Sequence, residues 1–589
     1  MLPGETLYRV LYVDLAKRRS RVVERPDLFE KWLGGAGVGS ALLAEECPAN
    51  ADPLGPENPI ILTVGPLTGM FPLASKTVAM FKSPHTGNLG ESHSGGRSAV
   101  SIRLAGYGAI VVQGASESPV YLSIHGDSVR FRDASSLWGI QSSYTVARLL
   151  RQREPGAGCR TIMRIGRAGE QLVTYACVST ETYRHFGRLG LGAVFGAKKL
   201  KAVVVAGKRS LPVADGKLYR QVYDEIYQAA VSSPVMKKYH DLGTAENILP
   251  LNKLKGLPTK NLREAAFDAA ESISGQHLAE NYLGRRVACA HCPVGCIHLA
   301  ALREPSDHEP YFYKTSMIGY DYEPIYALGT MLGISDTPGL LKLLDAVEVH
   351  GLDAMSTGVV LAWATEAMEK GLISAEQTDG LELAWGQYRP YVHACRRIVD
   401  QRNEFYTALA RGVDEAAERY GGEDFALAFG RNEMPGYHTG PIAHLGVLTG
   451  ARHSHLDSAG YSLDQKAYTE GKTLTSQEIA DALVCEERWR QVLSSLVVCF
   501  FARGIYKPSV ALQGLRAVGF ELDEDGLSEI GRAILSAKYA FKTREGFSLR
   551  DVRIPKRIYE TPGLGQAVSD SVVREVLDLY ARAVLPPAH

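Results

Sequence analysis

The stretch Cys289-Ala-His-Cys292-Pro-Val-Gly-Cys296 places three thiols within eight residues, spaced C-x2-C-x3-C. Three structural cysteines have no reason to crowd so closely, whereas a short loop wrapping one inorganic centre does. The spacing discriminates among centres. A zinc ribbon needs a second C-x2-C pair, and this sequence has none. A radical-type cluster loop runs C-x3-C-x2-C, the reverse order, and a two-cluster ferredoxin keeps its fourth cysteine in the same run. A 4Fe-4S cluster with a distant fourth ligand fits best, and Cys499 is the candidate for that ligand. A zinc site and unliganded thiols are the other readings.

Working outward, the nine cysteines are odd in number and irregularly spaced over 589 residues. That argues against a disulfide scaffold and for a reducing, cytoplasmic setting. Residues 1–5 show no basic stretch leading into an apolar one, and no apolar run has the length of a membrane span. The composition, 45% apolar and 22% charged with zero formal net charge, is that of an ordinary globular chain. A dominant nucleic-acid partner is not expected. The length implies roughly three or four domains.

Residues 1–208 read as strand-rich. Apolar runs at Leu7–Asp14, Pro59–Val64, Ala109–Gln113, Val120–Ile124 and Lys201–Ala206 are joined by glycine-rich connections, with a helix expected over Ser143–Arg153. Residues 209–425 look mainly helical, as do residues 426–589, which alternate helices with Gly/Pro loops. The fold class is therefore α+β, a β-rich domain followed by two mainly helical ones. In the second stretch, Gly351 sits where a helix over Gly339–His350 would end left-handed, and Ser356 or Thr357 is placed to cap the next helix, Gly358–Lys370. The tail after Ser569 reads as an amphipathic helix ending at Pro586-Pro587.

Two connections offer backbone donors and little bulk. Ser83-Pro-His-Thr-Gly-Asn-Leu-Gly-Glu-Ser-His93-Ser-Gly95-Gly96 is one. Arg184-His185-Phe-Gly187-Arg188-Leu-Gly-Leu-Gly192 is the other and adds two guanidinium groups. Bare backbone and arginine forks suit phosphate oxygens, although neither stretch has the P-loop or dinucleotide fingerprint and either could be plain turns. Glu323 lies among Tyr320, Tyr322 and Tyr326, surroundings that desolvate an acid. His453, His455 and Asp457 alternate, so an extended chain would place all three on one face, where they could bind zinc or iron.

The cysteine loop, Gly65-Pro-Leu-Thr-Gly69, Gly187-Arg-Leu-Gly-Leu-Gly-Ala-Val194 and Gly351-Leu-Asp-Ala-Met-Ser-Thr-Gly358 run in the order found in the tungsten-containing aldehyde ferredoxin oxidoreductase family. The sequence resembles that family over most of its length. The resemblance implies a tungsten (or molybdenum) bis-pterin, a 4Fe-4S cluster on Cys289, Cys292, Cys296 and Cys499, and a magnesium ion bridging the pterin phosphates through the carbonyls of His93 and His185. It implies pterin contacts from Gly95, Gly96, Arg184, Gly187 and Arg188. Lys76 stands where the family has an arginine between cluster and pterin, keeping the charge but not the planar fork.

Further correspondences carry departures. The family motif D-x-x-G-L-D reads Glu348-Val-His-Gly351-Leu352-Asp353, one methylene longer at its first acid. The partner motif D-x-x-G-L-C reads Ser494-Ser-Leu-Val497-Val498-Cys499, which puts the second pterin contact through Ser494 and Val498 in doubt but not the cysteine. The resemblance makes Glu323 the proton acceptor and His455, of the pair His455-Leu456, the hydrogen-bond donor or proton carrier, with His453 as the fallback and Asp457 as a further pterin contact. Some members hold an iron between subunits on a glutamate whose matching position here is Lys342, so that iron is not expected.

The activity implied is oxidation of aldehydes to carboxylic acids, with electrons leaving through the cluster to ferredoxin or a small iron–sulfur subunit, in an oligomer. The alternatives are a tungsten-dependent aromatic acyl-CoA reductase subunit, an electron-transfer subunit without catalytic metal, and a zinc-stabilised structural protein.

Overall fold

A computed structural model describes residues 2–585, apart from 3, 155, 157, 158, 182, 307, 308, 310 and 565–567; Pro586-Pro587 lie outside the described residues. Two six-stranded mixed sheets fill the first third of the chain. The first comprises β1 (Arg9–Asp14), β2 (Arg19–Glu24), β3 (Ile60–Thr63), β4 (Thr77–Lys82), β5 (Leu89–Ser94) and β6 (Ala109–Gln113), in the order β2-β1-β6-β3-β4-β5. The second comprises β7 (Val120–His125), β8 (Ser128–Asp133), β9 (Cys159–Ile165), β10 (Val178–Ser179), β11 (His185–Phe186) and β12 (Leu200–Gly207), in the order β11-β10-β9-β12-β7-β8.

The apolar runs become central strands because they are buried on both faces: Ile61, Leu62, Val78, Met80, Ile110 and Val112 have no accessible surface. Strands covered on both sides need not alternate. The helix Gly35–Glu46 packs on β3 and β4, and Ser98–Ala105 packs on β9 and β12. What matters for the site is that β5 and β11, each the last strand of its own sheet, run beside each other. Two sheet edges therefore meet, and an edge strand leaves one row of backbone N–H and C=O groups without ladder partners.

The remaining two thirds is mostly helical, with two departures, the smaller a two-stranded hairpin of Ala428–Phe429 and Asn432–Glu433. A three-stranded antiparallel sheet, β13 (Leu283–Val287), β14 (Ile297–Pro305) and β15 (Tyr313–Tyr320), interrupts the stretch read as helix. The cysteine loop is the β13–β14 connection, so both of its ends are held by ladder hydrogen bonds. The helix Thr337–His350 ends at Gly351, whose φ is +74°. The next helix, Ala354–Glu369, is capped by Asp353, whose Oδ2 accepts from the Ser356 amide at 2.9 Å. Ser356 and Thr357 lie inside the helix rather than capping it. Asp353 wins because the chain is extended there (ψ 122°), the geometry that lets a side-chain oxygen reach the third amide ahead. The helices Ser476–Ser495, Glu524–Arg544 and Asp570–Val584 pack together, and the first two also meet the helix Gly35–Glu46.

Candidate functional site

Gly95 marks where the thiols approach the sheet edge. A Cβ there would lie 2.9 Å from Sγ of Cys289 and 3.2 Å from Nζ of Lys76, so no larger residue fits without a shift. The cysteine loop is stitched to its surroundings by backbone. Ala290 N–H donates to Gly96 C=O at 2.9 Å, Leu73 N–H to His291 C=O at 3.0 Å, and Cys499 N–H to Leu73 C=O at 2.9 Å. The last two bonds bring Cys499, more than two hundred residues downstream, to the loop. Burial and the neighbouring sulfurs of Cys289, Cys499 and Cys296 push the Cys292 thiol up to about 12. Four sulfurs that repel one another as thiolates are stabilised together by metal cations, the chemistry of a cluster site.

Cations border the thiols. Lys76 is held protonated against its burial by Cys499, Cys289 and Cys296. Arg184 Nη2 lies 3.9 Å from Sγ of Cys296, while its Nη1 pairs with Asp321. Asp321 in turn accepts from Thr244 at 3.0 Å.

Beside this group lies a cavity of about 1400 Å3, its open mouth included, lined among others by Lys76, His93, Arg188, Arg452, Arg490 and Cys499. Its wall carries buried polar atoms without partners: Nη1 of Arg188, Nη2 of Arg490, Oδ1 of Asn432 and Nδ1 of His455. Buried polar atoms are nearly always hydrogen-bonded, so four orphans around one cavity call for a large polar ligand. Three or more cations and a mixed donor–acceptor set fit a phosphate-bearing heterocycle such as a pterin. The meeting edges of β5 and β11, which carry His93 and His185, could offer carbonyls to a divalent cation. The residues present fit the implied groups.

Arg188 is positioned by a buried node. Its Nη2 donates to Glu433 C=O at 2.6 Å, and its Nε lies 3.6 Å from Asp353. The Glu433 carboxylate lies 2.9 Å from Nε2 of His85 and accepts from Ser356 Oγ at 2.6 Å and Val413 N–H at 3.1 Å. Burial pushes Glu433 up, but the charge and hydrogen bond of His85, the Ser356 hydroxyl and Arg188 outweigh it and hold the carboxyl at about 2. Asp353 keeps a raised value because its burial outweighs Arg188 and Ser356.

A glutamate–histidine pair stands on another wall. Nε2 of His455 and the hydroxyl of Tyr437 each lie 3.0 Å from Oε1 of Glu323. Burial raises the Glu323 carboxyl, and the hydrogen bond and charge of His455, a backbone N–H and Tyr437 outweigh it, so the group sits below its ordinary value. Of the three tyrosines adjacent in sequence, Tyr322 and Tyr326 turn to backbone carbonyls, of Gly436 and Met434. The ring that bonds the acid is Tyr437, which no local signal points to.

The other expected residues are distributed as follows. His453 is turned away, with Nδ1 3.1 Å from Val447 C=O and Nε2 2.9 Å from Nζ of Lys542. Asp457 caps the short helix His455–Ser458 and pairs with Arg452 at 2.6 Å. The chain is helical here, not extended, so His453, His455 and Asp457 share no face. Among the described residues no three His, Cys, Asp or Glu side chains group to fit a single ion. Glu348 is engaged by Nε2 of His185 at 2.8 Å. Leu352 C=O lies 3.7 Å from Sγ of Cys177. Ser494 is buried, and Val498 lines the cavity. Val497 adopts φ +55°, the left-handed corner that Gly351 makes in the related motif. Lys342 pairs with Glu304 at 2.5 Å. Arg490, Asn432 and Glu433 went unnoticed in the sequence, since an arginine in a long helix or an acid in a short turn carries no distinguishing pattern.

A sheet-edge cavity lined by cations, next to clustered thiols and a glutamate–histidine pair, is the build of a redox enzyme. The chain matches the family descriptions "Aldehyde ferredoxin oxidoreductase, N-terminal domain" over residues 10–207 and "Aldehyde ferredoxin oxidoreductase, domains 2 & 3" over residues 221–583. It is 34% identical over 570 residues to the tungsten-containing aldehyde ferredoxin oxidoreductase of Thermococcus kodakarensis, covering 94% of this chain and 91% of the relative. It is 32% identical to that of Pyrococcus furiosus, with the same coverage. The fold is also that of the active-site complex BamBC of benzoyl coenzyme A reductase with 1,5 dienoyl-CoA, at a TM-score of 0.81 and 23% identity, covering 98% of this chain and 94% of that one. The chain belongs to the aldehyde ferredoxin oxidoreductase family and is an oxidoreductase. Among the described residues no helix is long and apolar enough to cross a membrane.

Proposed function

We propose that this chain is a tungsten-pterin enzyme that oxidises aldehydes to carboxylic acids and passes electrons through a 4Fe-4S cluster to ferredoxin or a partner iron–sulfur subunit. The observation that carries the reading is the Glu323–His455–Tyr437 group on the wall of a cation-lined cavity that also reaches Cys499. Arg188, Arg452, Arg490 and Lys76 would hold the pterins, Cys289, Cys292, Cys296 and Cys499 the cluster, and the carbonyls of His93 and His185 a magnesium ion. When bound, the tungsten site would supply a two-electron acceptor, and the cluster a one-electron exit.

The reaction converts an aldehyde and one water into a carboxylic acid, two protons and two electrons. Glu323, held ionised by its partners, accepts a proton at its carboxylate. His455 donates from Nε2 to Glu323, and its partnerless Nδ1 lines the cavity, where the N–H of the charged ring can polarise the carbonyl oxygen. Tyr437 keeps the carboxylate in one orientation and lowers its basicity by donating to it.

Elemental analysis and aldehyde-dependent dye reduction on protein purified without oxygen test this reading. The expected result is about one tungsten (or molybdenum) and about four iron per chain, with aldehyde oxidation cut by about a hundredfold or more in Glu323→Gln at unchanged metal content. Iron without tungsten or molybdenum from metal-replete cells, or zinc alone, would overturn it.

A further inference from the structure

One wall of the cavity is built from rings. Tyr437 and Tyr461 stack with centroids 4.2 Å apart and planes at 21°, and Tyr239 and Phe501 stack at 4.2 Å and 18°. Both stacked pairs line the same cavity, and Tyr461 also lies 6.2 Å from His455, centroid to centroid. Tyr437 also lies ring to ring with His455, with centroids 4.9 Å apart. The aromatic lining thus sets Tyr437 and Tyr461 beside the glutamate–histidine pair and adds Tyr239 and Phe501 in the same cavity.

Arg503 lines the same cavity, two residues beyond Phe501, and its charge reaches Tyr239. Its guanidinium donates to Phe500 C=O at 3.0 Å, and among the described residues no carboxylate pairs with it. It is half-buried. An arginine that is half-desolvated, fixed by one backbone bond and free of a counter-ion is an anion receptor awaiting its partner.

We propose that the preferred substrates are aryl aldehydes that carry an anionic substituent, the ring lying along this aromatic wall and the anion meeting Arg503. The inference rests on the aldehyde-oxidising reading of the site and adds the substrate class. Ring–ring contacts add to the gain from buried area, which favours an aryl group over an alkyl chain of similar size. The guanidinium then separates a formylbenzoate from a plain benzaldehyde. The anion and the aldehyde occupy separate positions on the ring, because Arg503 follows the short turn Phe500–Ala502 while Glu323 stands in the first turn of the helix Tyr322–Leu328. Arg503, Tyr239, Tyr461 and Phe501 are specificity-determining groups and take no part in proton transfer.

The test is steady-state oxidation of para-formylbenzoate, benzaldehyde and hexanal by holoenzyme, with calorimetric binding of terephthalate and benzoate as a readout independent of turnover. In the wild type, kcat/KM for para-formylbenzoate is expected to exceed that for benzaldehyde by about tenfold. The ratio should approach one in Arg503→Gln, through KM, and recover in part in Arg503→Lys. Tyr239→Leu should lower the ratio of benzaldehyde to hexanal. Equal kcat/KM for formylbenzoate and benzaldehyde in the wild type, or an Arg503→Gln change that scales both alike, would overturn the proposal. If metallated enzyme oxidises no aldehyde, the proposed function falls, yet terephthalate binding that weakens selectively in Arg503→Gln would still support the anionic aryl site.

Discussion

Nε2 of His455 sits 3.0 Å from Oε1 of Glu323, so acid and ring form one hydrogen-bonded unit inside the cavity. The two are brought together from the first turn of the helix Tyr322–Leu328 and the first residue of the helix His455–Ser458. Ionised glutamate accepts only, so it dictates which imidazole nitrogen carries the proton. The pair is a base whose strength is set by its donors, and its donors can be removed one at a time.

Tyr437→Phe takes away the hydroxyl that lies 3.0 Å from Glu323. With one donor lost, the lowered carboxyl pKa rises toward its ordinary value. The base form is present above that pKa, so the acid limb of the kcat/KM profile moves to higher pH, while the rate on the plateau changes little. A pH–rate profile with any good aldehyde checks this; an unmoved acid limb would show that Glu323 does not report in it. Glu323→Gln removes the base altogether and should cut kcat by about a hundredfold to ten-thousandfold.

Cys292→Ser and Cys499→Ser remove thiols from different parts of the chain. If both serve one cluster, each variant loses most of its iron and acid-labile sulfide from about four of each per chain, and neither loses only a fraction. Cys485→Ser, at an exposed thiol in the helix Ser476–Ser495, should retain full iron.

Glu433 anchors Arg188 by its backbone and His85 and Ser356 by its carboxylate. Its pKa falls from 4.5 to about 2 on folding. A carboxyl depressed in the folded state stabilises the protein above its unfolded value, and that stabilisation is lost as pH falls through about 4.5 to 2. The contribution at neutral pH is on the order of 3 kcal/mol. Glu433→Gln should therefore unfold earlier at pH 7 and show a flatter loss of stability between pH 5 and 2. Denaturant unfolding at several pH values measures it.

Gly351 holds φ +74° and its would-be Cβ lies 3.0 Å from the Gly166 amide nitrogen. Gly351→Ala is expected to lower stability by about 1–3 kcal/mol, since the left-handed corner and the tight backbone contact both resist a side chain. Val497 tolerates the equivalent corner at φ +55° while fully buried, so its apolar packing offsets the strain. A thermal midpoint unchanged in Gly351→Ala would show that the corner relaxes.

Much of the architecture is legible locally. The spacing of three cysteines limits the centre they can hold, buried runs such as Ala109–Gln113 form strands where their composition places them, and Gly351 ends its helix as its freedom at positive φ allows. These are properties of a few neighbouring residues, which periodicity and conformational preference report. The sheet around the cysteine loop was not legible, because β14 and β15 carry mixed polar and apolar residues and owe their pairing to each other.

What tertiary structure alone decided is which groups meet. Tyr437 reaches Glu323 across 114 positions of sequence, in preference to the tyrosines beside it. His453 and His455 are two residues apart, yet His453 sits at φ +53° and turns to Lys542 while His455 faces the cavity. The edges of β5 and β11 come together from different sheets. Such contacts are fixed by packing of distant segments around shared buried surface, and no local pattern records them: neighbouring residues set most of the elements and the ligand types, and packing set the site.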